Sequence, residues 1–206
     1  KDELLKVMYT NVPTTLQETK ECFLLQCAFG CRIADFQSLT MDKIKVTEDG
    51  IPFIHYLPKK TLRDNIENIE TETPVIRYAL DLIKKWKFNF PILKYVTGKS
   101  GYNAKIKLLL QHCGIDRECK IFNDELNDNI YKPLYMLASS KLCRKTHVDI
   151  MNKVQVNMYA AGLHKDRSEA VNRYTKMELK DRFILMCTAF EQPIYKVDKQ
   201  LNVIEE

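Results

Sequence analysis

Residues 42–61, DKIKVTEDGIPFIHYLPKKT, decide how the rest of the chain is read. β-branched and aromatic residues flank Asp49-Gly50, and a turn dipeptide between such arms predicts a two-stranded hairpin. A third strand is expected at ETPVIRY (72–78), beyond the polar loop LRDNIENIE (62–70). On either side the apolar period is that of helices. KDELLKVMY (1–9) and TKECFLLQCAFGCRIADFQSL (19–39) precede the hairpin, the second with Phe23, Cys27 and Phe29 near a three-to-four spacing. RYALDLIKKW (77–86) sets Ile76, Leu80, Ile83 and Trp86 on one face. GYNAKIKLLLQHCG (101–114) turns Ile106, Leu109, Leu110 and Cys113 inward and closes on a glycine. THVDIMNKVQVNMYAAG (146–162) aligns Val148, Met151, Val154, Met158 and Ala161, with Gly162 as its stop. SEAVNRY (168–174) reads as a short helix capped by Ser168, and ELKDRFILMCTAF (178–190) as one more, with Leu179, Phe183, Cys187 and Phe190 aligned. The tail QPIYKVDKQLNVIEE (192–206) reads as an extended arm. The expected fold class is mainly α with one small three-stranded antiparallel β-sheet.

A length of 206 residues predicts one domain, or one domain with a small appendage. A hydrophobic share of 45%, with ten Tyr, nine Phe and one Trp, suffices for a sizeable core. The seven cysteines form no CxxC pair, and an odd number argues against a closed disulfide framework. Reduced, buried thiols in a cytoplasmic protein fit that pattern. No signal peptide and no apolar run of membrane-spanning length stands out, so no membrane is expected. The first residue is a lysine and not a methionine, which fits an excised fragment.

Net charge is +5, and its distribution is one-sided. From Lys141 to Arg182 ten Lys and Arg face five acids, an excess equal to that of the whole chain. The stretch SSKLCRKTHV (139–148) crowds Lys141, Arg144 and Lys145 together with no acid before Asp149. The amino end of a helix is already partly positive and favours Asp or Glu. Cations there point to an external polyanion such as nucleic acid, against the alternative of a solvated lysine-rich surface.

Other chemistries find little support. The four histidines (55, 112, 147, 164) make no HxxxH or HExxH pair, and neither GxxxxGK[ST] nor GxGxxG occurs, so no metal and no cofactor is expected. Arg32 is a lone charge in the apolar stretch GCRIADFQSL. Burying it unpaired is prohibitive, so it either pairs with Asp35 one turn later or is aimed at a ligand, and the segment alone favours the ion pair.

QCAFGCRIADFQSLT followed by a hairpin ending in KKT resembles the first conserved box of the tyrosine recombinases, the phage-integrase family. SSKLCRKTH resembles the start of that family's second box, HxxR, and AAGLHKDRSEAVNRYTK its close, a glycine and histidine followed by a tyrosine after a short polar helix. The resemblance spans essentially the whole chain, and four motifs in the right order are far more specific than any one. It implies the fold of the DNA breaking-rejoining enzymes, with a catalytic domain over 1–190 and a tail over 191–206. The parent protein's amino-terminal core-binding and arm-binding domains would lie outside the chain. It places the catalytic set at Arg32, Lys60, Lys141, Arg144, His164 and Tyr174, with Lys59 as the alternative hairpin lysine. Two departures stand out. Lys141 occupies the histidine position of HxxR, and His164 precedes Tyr174 by ten residues, one more than the family pattern.

The function so implied is site-specific DNA recombination through a 3′-phosphotyrosyl intermediate, serving integration or excision of a mobile element. The implied partners are double-stranded DNA and further protomers in a synaptic tetramer, with the C-terminal helix docking in trans. The implied location is the cytoplasm, on the nucleoid. Type IB topoisomerase-like relaxation is the alternative, since members of that group carry lysine at the Lys141 position. A DNA-binding module of this fold without catalysis is the other.

Overall fold

The computed structural model describes residues 1–59, 70–94, 98–125, 127–160 and 178–206. They form a mainly helical protein with small antiparallel sheets. The chain divides into two compact units, Lys1–Gln37 with Asn89–Thr146, and Ser38–Phe88 with His147–Glu206.

In the first unit, α1 (Asp2–Tyr9) leads to α2 (Thr14–Phe29). α2 is buried around nearly its whole circumference from Thr19 to Phe29, as an apolar-all-round helix must be. It does not run on through Arg32 as its sequence suggests. Gly30 adopts the left-handed conformation, with φ 60°, and caps the helix through its N–H to the Gln26 carbonyl at 3.0 Å. The chain restarts as the four-residue α3 (Ile33–Phe36).

The second unit opens with β1 (Ile44–Val46) and β2 (Pro52–Tyr56), antiparallel, with Ile44 opposite Ile54. β3 (Thr71–Pro74) completes the three-stranded sheet in the order β1-β2-β3. This third strand is shorter than expected, because Val75 and Ile76 turn away into α4 (Arg77–Trp86). α4 buries Ala79, Leu80 and Ile83 on one face, as its period predicts.

Returning to the first unit, α5 (Pro91–Lys94) and α6 (Gly98–His112) follow. Ile106, Leu109, Leu110 and Cys113 are buried as expected, and Gly114 ends the helix at φ 62°. A second hairpin, β4 (Glu118–Asn123) with β5 (Asp128–Pro133), was not apparent from the sequence. Its strands are half-exposed on one face and exposed on the other, so no strong apolar alternation marks them. α7 (Leu134–Leu137) then leads to α8 (Lys141–Ala160).

α8 begins five residues earlier than the pattern around Val148 suggests, and its phase differs. Val148 is 42% exposed while Ile150 is 2% exposed, because the fully buried Cys143 sets which face turns inward. In the second unit, α9 (Leu179–Ala189) buries Phe183, Met186 and Cys187. The tail is no simple extended arm. It folds into a third antiparallel pair, β6 (Lys196–Val197) with β7 (Val203–Glu205). Tyr195 is buried, packs edge-on against Phe183 at 5.5 Å and donates its hydroxyl to the Val75 carbonyl at 2.7 Å. The Val197 N–H donates to the Gly50 carbonyl at 2.9 Å, which ties the tail to the first hairpin's turn. Among the described residues three small antiparallel sheets are thus present where one was expected.

Candidate functional site

The break at Gly30 determines where Arg32 goes. Arg32 has extended backbone angles (φ −69°, ψ 153°) and stands just ahead of α3, its carbonyl accepting the Phe36 N–H at 2.8 Å. Its side chain is exposed, whereas Asp35 is only 3% exposed. The expected Arg32–Asp35 ion pair is therefore absent. The two residues do not share the face of one continuous helix, and among the described residues Arg32 forms no ion pair.

The start of α8 supplies the other cations. Lys141, Arg144 and Lys145 are exposed, and the first turn of the helix carries no acid. Lys141 and Arg144 are three residues apart and so project on one side. The Arg144 guanidinium turns toward the end of α2, Nη1 donating to the Gly30 carbonyl at 2.9 Å. That carbonyl lies two residues before Arg32. One hydrogen bond thus holds the second arginine against the segment that carries the first, across 114 positions of sequence.

The ground beneath these cations is a buried cluster of Cys22, Cys27, Cys31, Cys143, Tyr102 and Gln26. Burial pushes the Cys143 thiol well up, and its hydrogen bond to Cys27 adds to the shift. Burial also raises Cys31, with the Asp35 carboxylate adding to the shift and the Arg144 guanidinium opposing it in part. Thiols held protonated in this way are poor nucleophiles, so the cluster is packing and not cysteine catalysis. Among the described residues no group of three or more His, Cys, Asp or Glu side chains could hold a metal ion. Nor, among them, is any helix long and apolar enough to cross a membrane.

Of the residues expected to act, Arg32, Lys141 and Arg144 all belong to the first unit. Lys60, His164 and Tyr174 lie outside the described residues, as does the short helix expected at 168–174. Lys59 is exposed and lies three residues past the end of β2, in the second unit. Sequence reasoning passed over Gln26, Gly30, Asn103 and Ser140, which order the segments bearing the cations. One signal was available: a lone carboxamide in FLLQCAF is as anomalous as the lone arginine in GCRIADF. The chain matches no family model, no curated protein and no solved structure.

Proposed function

We propose that this chain is the catalytic domain of a tyrosine-type site-specific DNA recombinase. What carries the reading is the 2.9 Å contact of Arg144 with the Gly30 carbonyl, which keeps it beside the Arg32 segment. Exposed cations that form no ion pair among the described residues raise the local positive potential, which attracts an anion. A DNA phosphodiester is such an anion, and two guanidinium forks can grip its non-bridging oxygens bidentately.

In the proposed reaction the Tyr174 hydroxyl oxygen attacks phosphorus and the bond to the 5′-oxygen breaks. The product is a 3′-phosphotyrosyl link, with the departing 5′-oxygen taking a proton from Lys60 or, as the alternative, Lys59. A tyrosine hydroxyl titrates at about 10, and nearby cations favour the phenolate. Arg32 and Arg144 stabilise the charge that develops on the pentavalent phosphorane, and Lys141 adds charge and orientation. His164 either donates to the same phosphate, the Tyr174 proton then passing to water, or assists Tyr174 by taking that proton. Attack by a partner strand's 5′-hydroxyl reverses the step and exchanges strands without net hydrolysis. A lysine at position 141 donates and carries charge but does not accept a proton at neutral pH as imidazole does. That substitution gives the type IB topoisomerase-like reading its one point in favour.

Assembly on DNA with further protomers belongs to the same proposal. In the single chain α9 packs on its own unit, with Phe183 against Tyr195 and Arg182 Nη1 donating to the Glu72 carbonyl at 2.8 Å, so docking it in trans would first require those contacts to open.

The deciding experiment traps the adduct on a nicked duplex whose short leaving fragment, bearing the new 5′-hydroxyl, diffuses away after cleavage. Wild-type protein should form a denaturant-resistant DNA adduct, and Tyr174→Phe should bind the duplex and form none. An adduct in the Phe variant would place the nucleophile elsewhere. Binding without an adduct in wild-type protein would leave a DNA-binding module. Exchange between two duplexes, as opposed to relaxation of one, separates recombinase from topoisomerase.

A further inference from the structure

Gln26 is fully buried in a helix whose neighbours at that point are apolar, so its carboxamide finds partners only inside the protein. Nε2 lies 3.3 Å from the Cys31 carbonyl and 3.4 Å from the Ser140 carbonyl, and Oε1 accepts the Tyr102 hydroxyl at 3.2 Å. The orientation is fixed by chemistry, because both carbonyls accept only and the NH2 group must face them. An amide offers two N–H donors and an acceptor on one planar group. Ionised glutamate has no donor, and methionine has neither donor nor strong acceptor.

The two carbonyls so joined are telling. Cys31 immediately precedes Arg32, and Ser140 immediately precedes Lys141, one turn ahead of Arg144. Two further ties act on the same joint. Arg144 donates to the Gly30 carbonyl, and the Ser140 N–H donates to Asn103 Oδ1 at 2.8 Å, next to Tyr102 on α6. Gln26 bonds longer than the usual 2.9–3.0 Å contribute little energy each. Their effect is geometric, since they set the gap between two backbone segments that carry cations.

We propose that Gln26 is a positioning residue that sets the distance between Arg32 and the Lys141/Arg144 helix end, so that the cations converge on one phosphate group. It touches no substrate and acts through the two carbonyls. The identity of that phosphate as a DNA diester rests on the recombinase reading, whereas the joining of the two cation-bearing segments rests on the Gln26 and Arg144 bonds.

The test compares Gln26→Met, close in volume, and Gln26→Glu, which retains the acceptor for Tyr102 but loses both donors. Leu109→Ala, a cavity on the buried face of α6, serves as the control for destabilisation alone. Single-turnover cleavage of the nicked duplex is measured at saturating protein, and DNA affinity separately, at a temperature where all variants are folded. Misplaced binding groups of this kind cost about 10- to 100-fold in rate. The expected result is that loss in both Gln26 variants, with DNA Kd within about threefold of wild type, while Leu109→Ala cleaves normally. Cleavage within threefold of wild type in both Gln26 variants overturns the proposal. So does a loss that Leu109→Ala shares.

If wild-type protein forms no adduct, the recombinase reading fails, and inorganic phosphate decides the positioning role. Its titration is followed at the Nε–Hε resonances of Arg32 and Arg144. Both should shift along one binding curve in wild type and separate in Gln26→Met. No response in wild type, or an unaltered joint response in the variant, overturns the role.

Discussion

Arg144→Ala should separate chemistry from architecture. The side chain is exposed, forms no ion pair among the described residues, and its described partner is the Gly30 carbonyl at 2.9 Å. A hydrogen bond from a charged group is worth about 1.5–3 kcal/mol when sheltered, and solvent access brings this one to about 1 kcal/mol. For a chain of 206 residues that is a fall in Tm of about 2–4 °C. The catalytic cost is of another order. Removing one preorganised donor to a developing oxyanion costs about 10²–10³ in rate, or about 2.7–4 kcal/mol. The assay is adduct formation on the nicked duplex in single turnover at low salt, with circular dichroism on the same sample. Arg144→Lys keeps the charge and loses the fork, so it should fall between wild type and alanine. A folded, DNA-saturated Arg144→Ala that cleaves within about threefold of wild type would refute the assignment, because no transition-state contact is so cheap to lose.

Three other outcomes are expected. Gly50→Ala should destabilise the chain by about 1–3 kcal/mol in urea melts, since φ is +80° and a Cβ would meet the Val197 carbonyl oxygen at 3.0 Å; an unchanged midpoint would deny that the turn and tail are locked together. The buried Cys22, Cys31, Cys143, Cys187 and the phenols of Tyr102 and Tyr195 all have raised pKa values through burial, Cys187 to about 12. Their protonated forms persist in the folded state while the unfolded chain ionises above its ordinary thiol and phenol values of 9.0 and 10.0. The unfolded state then binds fewer protons, so stability is full below pH 9 and falls as pH rises beyond it; a urea midpoint constant from pH 8 to 10.5 would contradict this. Finally, DNA affinity should fall steeply with salt, and Lys141→Gln or Arg32→Gln should each flatten the log–log slope by about 1. An unchanged slope would remove that cation from the phosphate contacts.

Much of the fold was legible where period and turn chemistry agree. α4 and α6 bury the faces their sequences mark, and Asp49-Gly50 lies in the turn of the first hairpin. The break after Phe29 was not, because QCAFGCRIADF carries a helical pattern across a glycine whose left-handed conformation makes it a stop. The β4–β5 hairpin escaped because neither face is well buried, so its alternation is faint. At the site, Arg32 stood out as a lone cation and Arg144 as one of a cluster, yet the bond that holds Arg144 against the segment carrying Arg32 joins residues 114 positions apart, which no local pattern reveals. The misjudged ion pair has the same origin: Asp35 turned inward and Arg32 outward once the helix broke.

The bond between the Gly50 turn and Val197 bears on how the chain is made. A ribosome delivers β1, β2 and β3 long before it delivers residues 195–197, yet Tyr195 fills the space beside Phe183 and caps the Val75 carbonyl. Until residues 195–197 have been made, the nascent sheet therefore lacks the Tyr195 and Val197 bonds that join it to the tail. The first unit is spared that delay, because its final described residue is Thr146. A chain stopped before residue 195 would hold every residue of the first unit, while the second unit's sheet would lack the Tyr195 and Val197 bonds that tie it down.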